Sequence, residues 1–231
     1  MSPMKVTATN LWLQSSSDWG LAKKSLEEEQ RMHELYTIGH STHPVDRFLE
    51  LLSMHSITAV CDVRSQPYSK FNPQFNRETI KKELEKHGIT YVFLGKELGP
   101  RSDDPTCYVD GKVQYDCLAK TDLFHQGIQR LRKGMESYRI ALMCAEKDPV
   151  TCHRTILVCR HLRKNGMRIR HILEDGSIEE NDDSIKRLMR ILKIQETNLF
   201  KNTEEIIQSA YDIQGEKIAH TEDLDNEHGK R

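Results

Sequence analysis

Cys144, Glu146, Cys152, His153 and Arg154 fall within twelve residues, MCAEKDPVTCHR. Two thiols, a carboxylate, an imidazole and a guanidinium so close together admit three chemistries: a reactive thiolate, a metal site, or an anion-binding turn. The run Asp148-Pro149 predicts a helix starting near Thr151. Such a helix start would place Cys152 in the field of its positive end, beside His153 and Arg154, and lower its thiol pKa, as a nucleophile or redox thiol requires. The same helix start with Arg154 would hold a phosphate or carboxylate.

The metal reading draws on Cys144, Cys152 and His153, with Cys107 or Cys117 as a further candidate ligand. Spacing argues against it, because the run has no CxxC knuckle and adjacent residues such as Cys152 and His153 diverge on a helix. A phosphatase-type loop is excluded, since Arg154 follows Cys152 by only two positions, and neither a Walker loop nor a dinucleotide glycine fingerprint occurs. No cofactor can be named from the residues.

Other reactive side chains sit in short polar clusters. His40 and Ser41 follow the apolar run LYTIG, Asp62 and Arg64 end ITAVCDV, and Arg101 lies in the loop after ITYVFL. His40 and His153 are candidates for general acid or base, and Glu146 for proton carrier or arginine partner. Arg64, Arg101, Arg154 and Ser41 are candidates for anion binding, with Asp62 as a brace. Cys144 closes an apolar strand and reads as packing, as does Cys159.

These clusters recur because strand-like and helix-like segments alternate. Residues 35–39, 57–63, 89–94, 139–144 and 167–173 read as strands, and 44–56, 77–87, 118–133 and 151–164 as helices. The pattern predicts an α/β fold: a Rossmann-like open, mainly parallel sheet of about five strands flanked by helices, with helices over 184–194 and 203–213 as a C-terminal extension. Ligands bind such sheets outside the carboxyl ends of the strands, where the polar clusters fall. Three parts are expected: a flexible lead-in over 1–34, the α/β domain over 35–180, and a helical extension ending in a disordered polar tail over 181–231.

The 231 residues carry 34 Lys+Arg against 35 Asp+Glu, so net charge announces neither nucleic acid nor an anionic membrane. Residues 36–178 hold 22 basic and 17 acidic side chains, a mild positive excess compatible with an anionic ligand. The absence of a long apolar run predicts no membrane span and a cytoplasmic chain. Six cysteines without a CxxC pair then read as reduced thiols.

The ordered motifs TIGHS (37–41), DVRSQP with Ser69 and Phe75-Asn76, GITY (88–91), LG with Arg101, CAEKDPVTCHR (144–154) and HIL (171–173) resemble the DUF488 family, over roughly residues 36–178. Pro100 departs from the pattern, standing where a second glycine is expected. The resemblance implies a compact α/β domain and no particular reaction. Taken together, the residues predict an enzyme acting on an anionic small molecule, a nucleotide or a nucleic-acid component, through a Cys/His/Arg site. The alternatives are a non-catalytic nucleotide or nucleic-acid binding module and a metal-stabilised domain.

Overall fold

A computed structural model describes residues 34–195 and 202–221. The expected lead-in lies outside these residues, save that Glu34 already belongs to the first strand. Most of the expected disordered tail lies outside them too. Its first two residues are tied down, His220 accepting from Val113 N (2.9 Å) and Thr221 bridging Lys112.

The strands are β1 (Glu34–Gly39), β2 (Ala59–Asp62), β3 (Thr90–Phe93), β6 (Ile140–Cys144), β7 (Arg168–Ile172) and β8 (Ile178–Glu180), in the order β3-β2-β6-β1-β7-β8. All pairings are parallel except β7 with β8. The five expected strands are all present, and β8 adds an antiparallel edge, as open parallel sheets often carry. A second, two-stranded ribbon, β4 (Tyr108–Val109) with β5 (Lys112–Val113), lies in the segment that reads as a loop in the sequence.

Alternate residues of each strand feed opposite cores. Tyr36, Ile38, Val60, Ala141 and Met143 pack against α1 (Val45–Met54) and α2 (Arg77–Lys86), whose apolar positions recur at helical spacing. Leu35, Ala59, Cys61, Leu142 and Cys144 face the other core, formed with α5 (Asp122–Met135), α7 (Asn181–Ile191) and α8 (Thr203–Ile218). The two short helices α3 (Gly95–Leu98) and α4 (Tyr115–Leu118) flank the ribbon's segment. A further helix covers this second face, wound as a π-helix over Arg154–Cys159 and as an α-turn, α6, over Arg160–Arg163.

Cys107 and Cys117 form a disulfide, correcting the expectation that every thiol is free. The β4–β5 ribbon folds the chain back so that their Cα atoms stand 5.2 Å apart. This pairing also removes both from the metal reading.

Candidate functional site

β6 and β1 are neighbours whose onward connections leave on opposite faces of the sheet, the π-helix covering one core and α1 the other. A divergence of this kind, at the carboxyl ends of neighbouring strands, is where open α/β sheets hold ligands. His40 N donates to Cys144 O and Ser41 N to Ala145 O, both at 2.9 Å, so the two chain ends stay side by side past the last strand residues. Gly39 permits this approach: a Cβ there would stand 1.9 Å from Glu146 O.

The segment after β6 explains how Cys152 and His153 are aimed. Asp148 accepts from Val150 N at 3.0 Å, and Pro149 opens one 3₁₀ turn over Pro149–Thr151. Cys152 is then extended (φ −125°, ψ 139°), whereas His153 already has helical angles (φ −58°, ψ −28°). The change of conformation between two adjacent residues brings both side chains to one point. The expected divergence of Cys152 and His153 fails for this reason, since Cys152 precedes the helix.

Four side chains meet there. Glu146 Oε2 accepts from Cys144 Sγ at 2.8 Å and from Cys152 Sγ at 3.0 Å. His153 Nδ1 lies 3.6 Å from Cys144 Sγ and 3.9 Å from Cys152 Sγ. Among the described residues these form a group of metal-capable side chains whose ligand atoms all lie within 4.8 Å of one another. Cys144, Cys152 and His153 are buried; Glu146 is an exposed residue whose carboxylate turns inward. The packing role expected of Cys144 is therefore only part of its environment.

Electrostatics differ from the expectation at Cys152. Burial pushes its thiol pKa well above the ordinary value instead of below it. At Glu146 burial works upward, but His153 and the two thiols outweigh it and hold the carboxyl at about 2. At His153 burial works against protonation, and Cys152 and Glu146 outweigh it in turn, raising its pKa. The site is thus a carboxylate flanked by an imidazole that favours its proton and by a Cys152 thiol that keeps its own.

A second network adjoins the first. Arg64 makes a two-pronged pair with Asp62 (Nε to Oδ1 2.9 Å, Nη2 to Oδ2 2.7 Å) and also donates to Phe75 O at 2.8 Å. Its Nη1 donates to His40 Nε2 at 3.0 Å, while His40 Nδ1–H donates to Ser41 O at 2.9 Å. His40, stacked on Phe75, is therefore held neutral, its pKa pushed down to about 4 by burial and by Arg64. Ser41 occupies the left-handed region (φ 46°).

Arg154 is 1% exposed and donates to Glu146 O (2.7 Å), Lys147 O (3.3 Å) and Thr37 Oγ1 (3.3 Å). Arg64 and Arg154 thus carry out internal work, and the helix beginning at Arg154 leaves Cys152 outside its first turn. Arg101, in the loop after β3, donates its backbone N–H to Ser65 Oγ at 3.2 Å.

Several contributors have no local sequence signal. Tyr91 donates to Asp62 Oδ2 at 2.8 Å, and Val63 O accepts from His153 Nε2 at 2.9 Å. Arg187 of α7 clamps Asp148 with two bonds (2.9 and 2.8 Å) and holds Glu179 with its other donors. Gln214 of α8 donates to Val150 O at 2.9 Å. The 3₁₀ turn that aims Cys152 is thus braced from the C-terminal helices, which only long-range contact reveals.

Among the described residues no helix is long and apolar enough to cross a membrane. No match is found among curated proteins or among solved structures. A family model, domain of unknown function DUF488, matches residues 44–160, which include Asp62, Arg64, Arg101 and the whole of MCAEKDPVTCHR, and leave His40 and Ser41 just outside. With just over half of its length matched, this chain belongs to the DUF488 family.

Proposed function

We propose that the chain is an enzyme whose reacting centre is the group Cys144, Glu146, Cys152 and His153, and whose substrate bears a negatively charged moiety. One observation carries this reading: two thiols, a carboxylate and an imidazole converge within 4.8 Å at the carboxyl end of β6, beside β1. Packing alone gives no reason to turn the carboxylate of an exposed residue into a buried thiol pair, because desolvating it is costly. Glu146 and His153 are the proton acceptors of the site, each directly against both sulfurs.

The buried guanidinium of Arg154 contributes field: its bonds go to two carbonyls and a hydroxyl, so its charge is offset through space by the cluster. Arg101, with Ser41, is assigned to the substrate's anionic group, and the reaction class is hydrolysis or group transfer. Mass spectrometry of small molecules that co-purify with the chain, followed by thermal shifts with phosphate and carboxylate compounds, tests the reading. A bound anionic compound whose affinity falls roughly tenfold in Arg101→Ala, equivalent to about 1.4 kcal/mol, is the expected result. An intact chain stabilised by no such compound would sink it.

A second reading, non-catalytic nucleic-acid binding, rests on a different observation. Phe71 is 94% exposed and Tyr68 58% exposed, with exposed Lys70 between them, on a loop pinned by Ser69 Oγ and Asn76 Oδ1. Aromatics interleaved with a cation suit stacking on unpaired bases. Binding of a single-stranded RNA oligonucleotide should weaken with salt and in Phe71→Ala; binding indifferent to both would remove this reading.

A further inference from the structure

The imidazole of His153 is oriented from behind. Its Nε2–H donates to Val63 O at 2.9 Å, so the ring presents Nδ1 to the two sulfurs. A ring fixed through its remote nitrogen by a backbone carbonyl is how metal-ligating histidines are held. Cys152 Sγ receives a further bond from Arg154 N at 3.4 Å, a backbone donor suited to a thiolate.

The spacings agree. With bonds of about 2.3 Å to sulfur and 2.0–2.2 Å to nitrogen or oxygen, a tetrahedral centre has sulfur–nitrogen and sulfur–oxygen edges of about 3.6 Å. His153 Nδ1 already stands 3.6 and 3.9 Å from the sulfurs. Glu146 Oε2, at 2.8 and 3.0 Å, lies closer than that, drawn in by the thiol protons. It must retreat by roughly half an ångström or more to admit an ion, and it belongs to an exposed residue. The three buried ligands need not move far.

Charge points the same way. Among the described residues no carboxylate contacts the buried Arg154 guanidinium, whose side-chain bonds go to Glu146 O, Lys147 O and Thr37 Oγ1. Two thiolates, one carboxylate and a divalent ion sum to a single negative charge, which Arg154 neutralises. The neighbouring Arg64 and Asp62 neutralise each other and leave that balance undisturbed.

We propose that Cys144, Cys152, His153 and Glu146 bind one divalent ion of the zinc class. This deepens, and rests on, the reading of the cluster as the functional site. Two sulfur ligands and an imidazole select a borderline-soft ion over calcium or magnesium, which take oxygen. Ion uptake forms two metal–sulfur bonds, one metal–nitrogen bond and one metal–oxygen bond. The two thiol protons, and any proton on Nδ1, leave to solvent, with no change in oxidation state. Glu146, the one exposed residue of the four, is the ligand that yields, opening a position for water or substrate.

The test uses the full chain without an affinity tag, kept reduced, loaded with zinc(II) and passed through a desalting column with a weak chelator. One zinc per chain is expected. Cobalt(II) in its place should give intense tetrahedral visible bands and a thiolate-to-cobalt charge-transfer band, the latter falling by about half in Cys144→Ser and in Cys152→Ser. Zinc affinity should fall 100-fold or more in either serine variant and about tenfold in Glu146→Gln. Retention of no metal, or cobalt bound without the charge-transfer band, overturns the proposal.

If the serine variants do not fold, wild-type protein in partial denaturant is alkylated with and without zinc(II) and the labelled positions mapped. Zinc should protect Cys144 and Cys152 beyond any change at Cys61 and Cys159, and equal protection of all four overturns the proposal. The two readings fail separately. Stoichiometric zinc in a chain that binds no anionic compound removes the enzyme reading alone. An anionic ligand lost on Cys152 alkylation, in a chain that takes up no zinc, removes the metal alone.

Discussion

Arg154 shows how a side chain that suggests ligand binding in a sequence can serve the interior. Its guanidinium is buried among carbonyls that no other donor of the described structure is seen to reach, and it holds the turn carrying Glu146 against β1. Replacing it with methionine keeps most of the volume and strands those acceptors, so Arg154→Met should lower stability by about 3 kcal/mol in urea unfolding. A change within 0.5 kcal/mol would show that the arginine is not the brace described. Gly39 is the complementary case, where any side chain fails: Gly39→Ala pushes a methyl group into Glu146 O and should cost roughly 2–4 kcal/mol. The same variant should expose Cys152 to alkylation, because displacement of the 145–148 segment unpacks the thiols; unchanged labelling would contradict the close approach.

At the scale of elements, the site depends on a turn and on what braces it. The change from extended Cys152 to helical His153 aims both side chains inward, and Asp148 caps the turn that sets this up. Arg187 binds Asp148 from α7, and its hydrogen bonds lower the Asp148 pKa against the upward push of burial. Both partners are partly exposed, so a double-mutant cycle with Arg187→Met and Asp148→Asn should give a coupling of only about 0.5–1 kcal/mol. The larger effect expected is faster labelling of Cys152 in Arg187→Met, and labelling at the wild-type rate would mean that α7 does not set the turn.

Over the whole molecule, two buried neutral histidines make the fold sensitive to acid. His40 is held at about 4, by burial and by Arg64, and His171 at about 3, by burial and by Arg154. The unfolded chain protonates both near pH 6.5, so it takes up protons that the folded chain refuses. Stability should therefore fall as pH drops below 6.5, by at most about 1.4 kcal/mol per pH unit for each group. Glu146, lowered to about 2, adds its loss only below about pH 4.5, and His153, raised, acts above 6.5. Urea midpoints between pH 6.5 and 5 thus report on the lowered histidines, to which the half-buried His161, lowered by burial and by His125, adds. His171→Gln should reduce the slope there; a slope unchanged in that variant would mean His171 is not held neutral.

The sequence by itself determined the strand–helix alternation, because apolar spacing at periods of 2 and 3.6 records which faces are buried whatever the strand order. It also placed His40, Asp62, Arg64, Cys144 and the CHR run at strand ends, since polar clusters directly after short apolar runs can lie nowhere else in an α/β sheet. It did not contain the strand order, the β8 edge or the Cys107–Cys117 pair, all of which are long-range pairings. Only the tertiary structure decided how these side chains are held. Cys152 is extended because an Asp-Pro turn braced from α7 and α8 sets its dihedral angles, and Arg64 and Arg154 are bonded internally because partners distant in sequence reach them. Spacing along the chain measures distance on one element, whereas ligand geometry is set by where several elements meet.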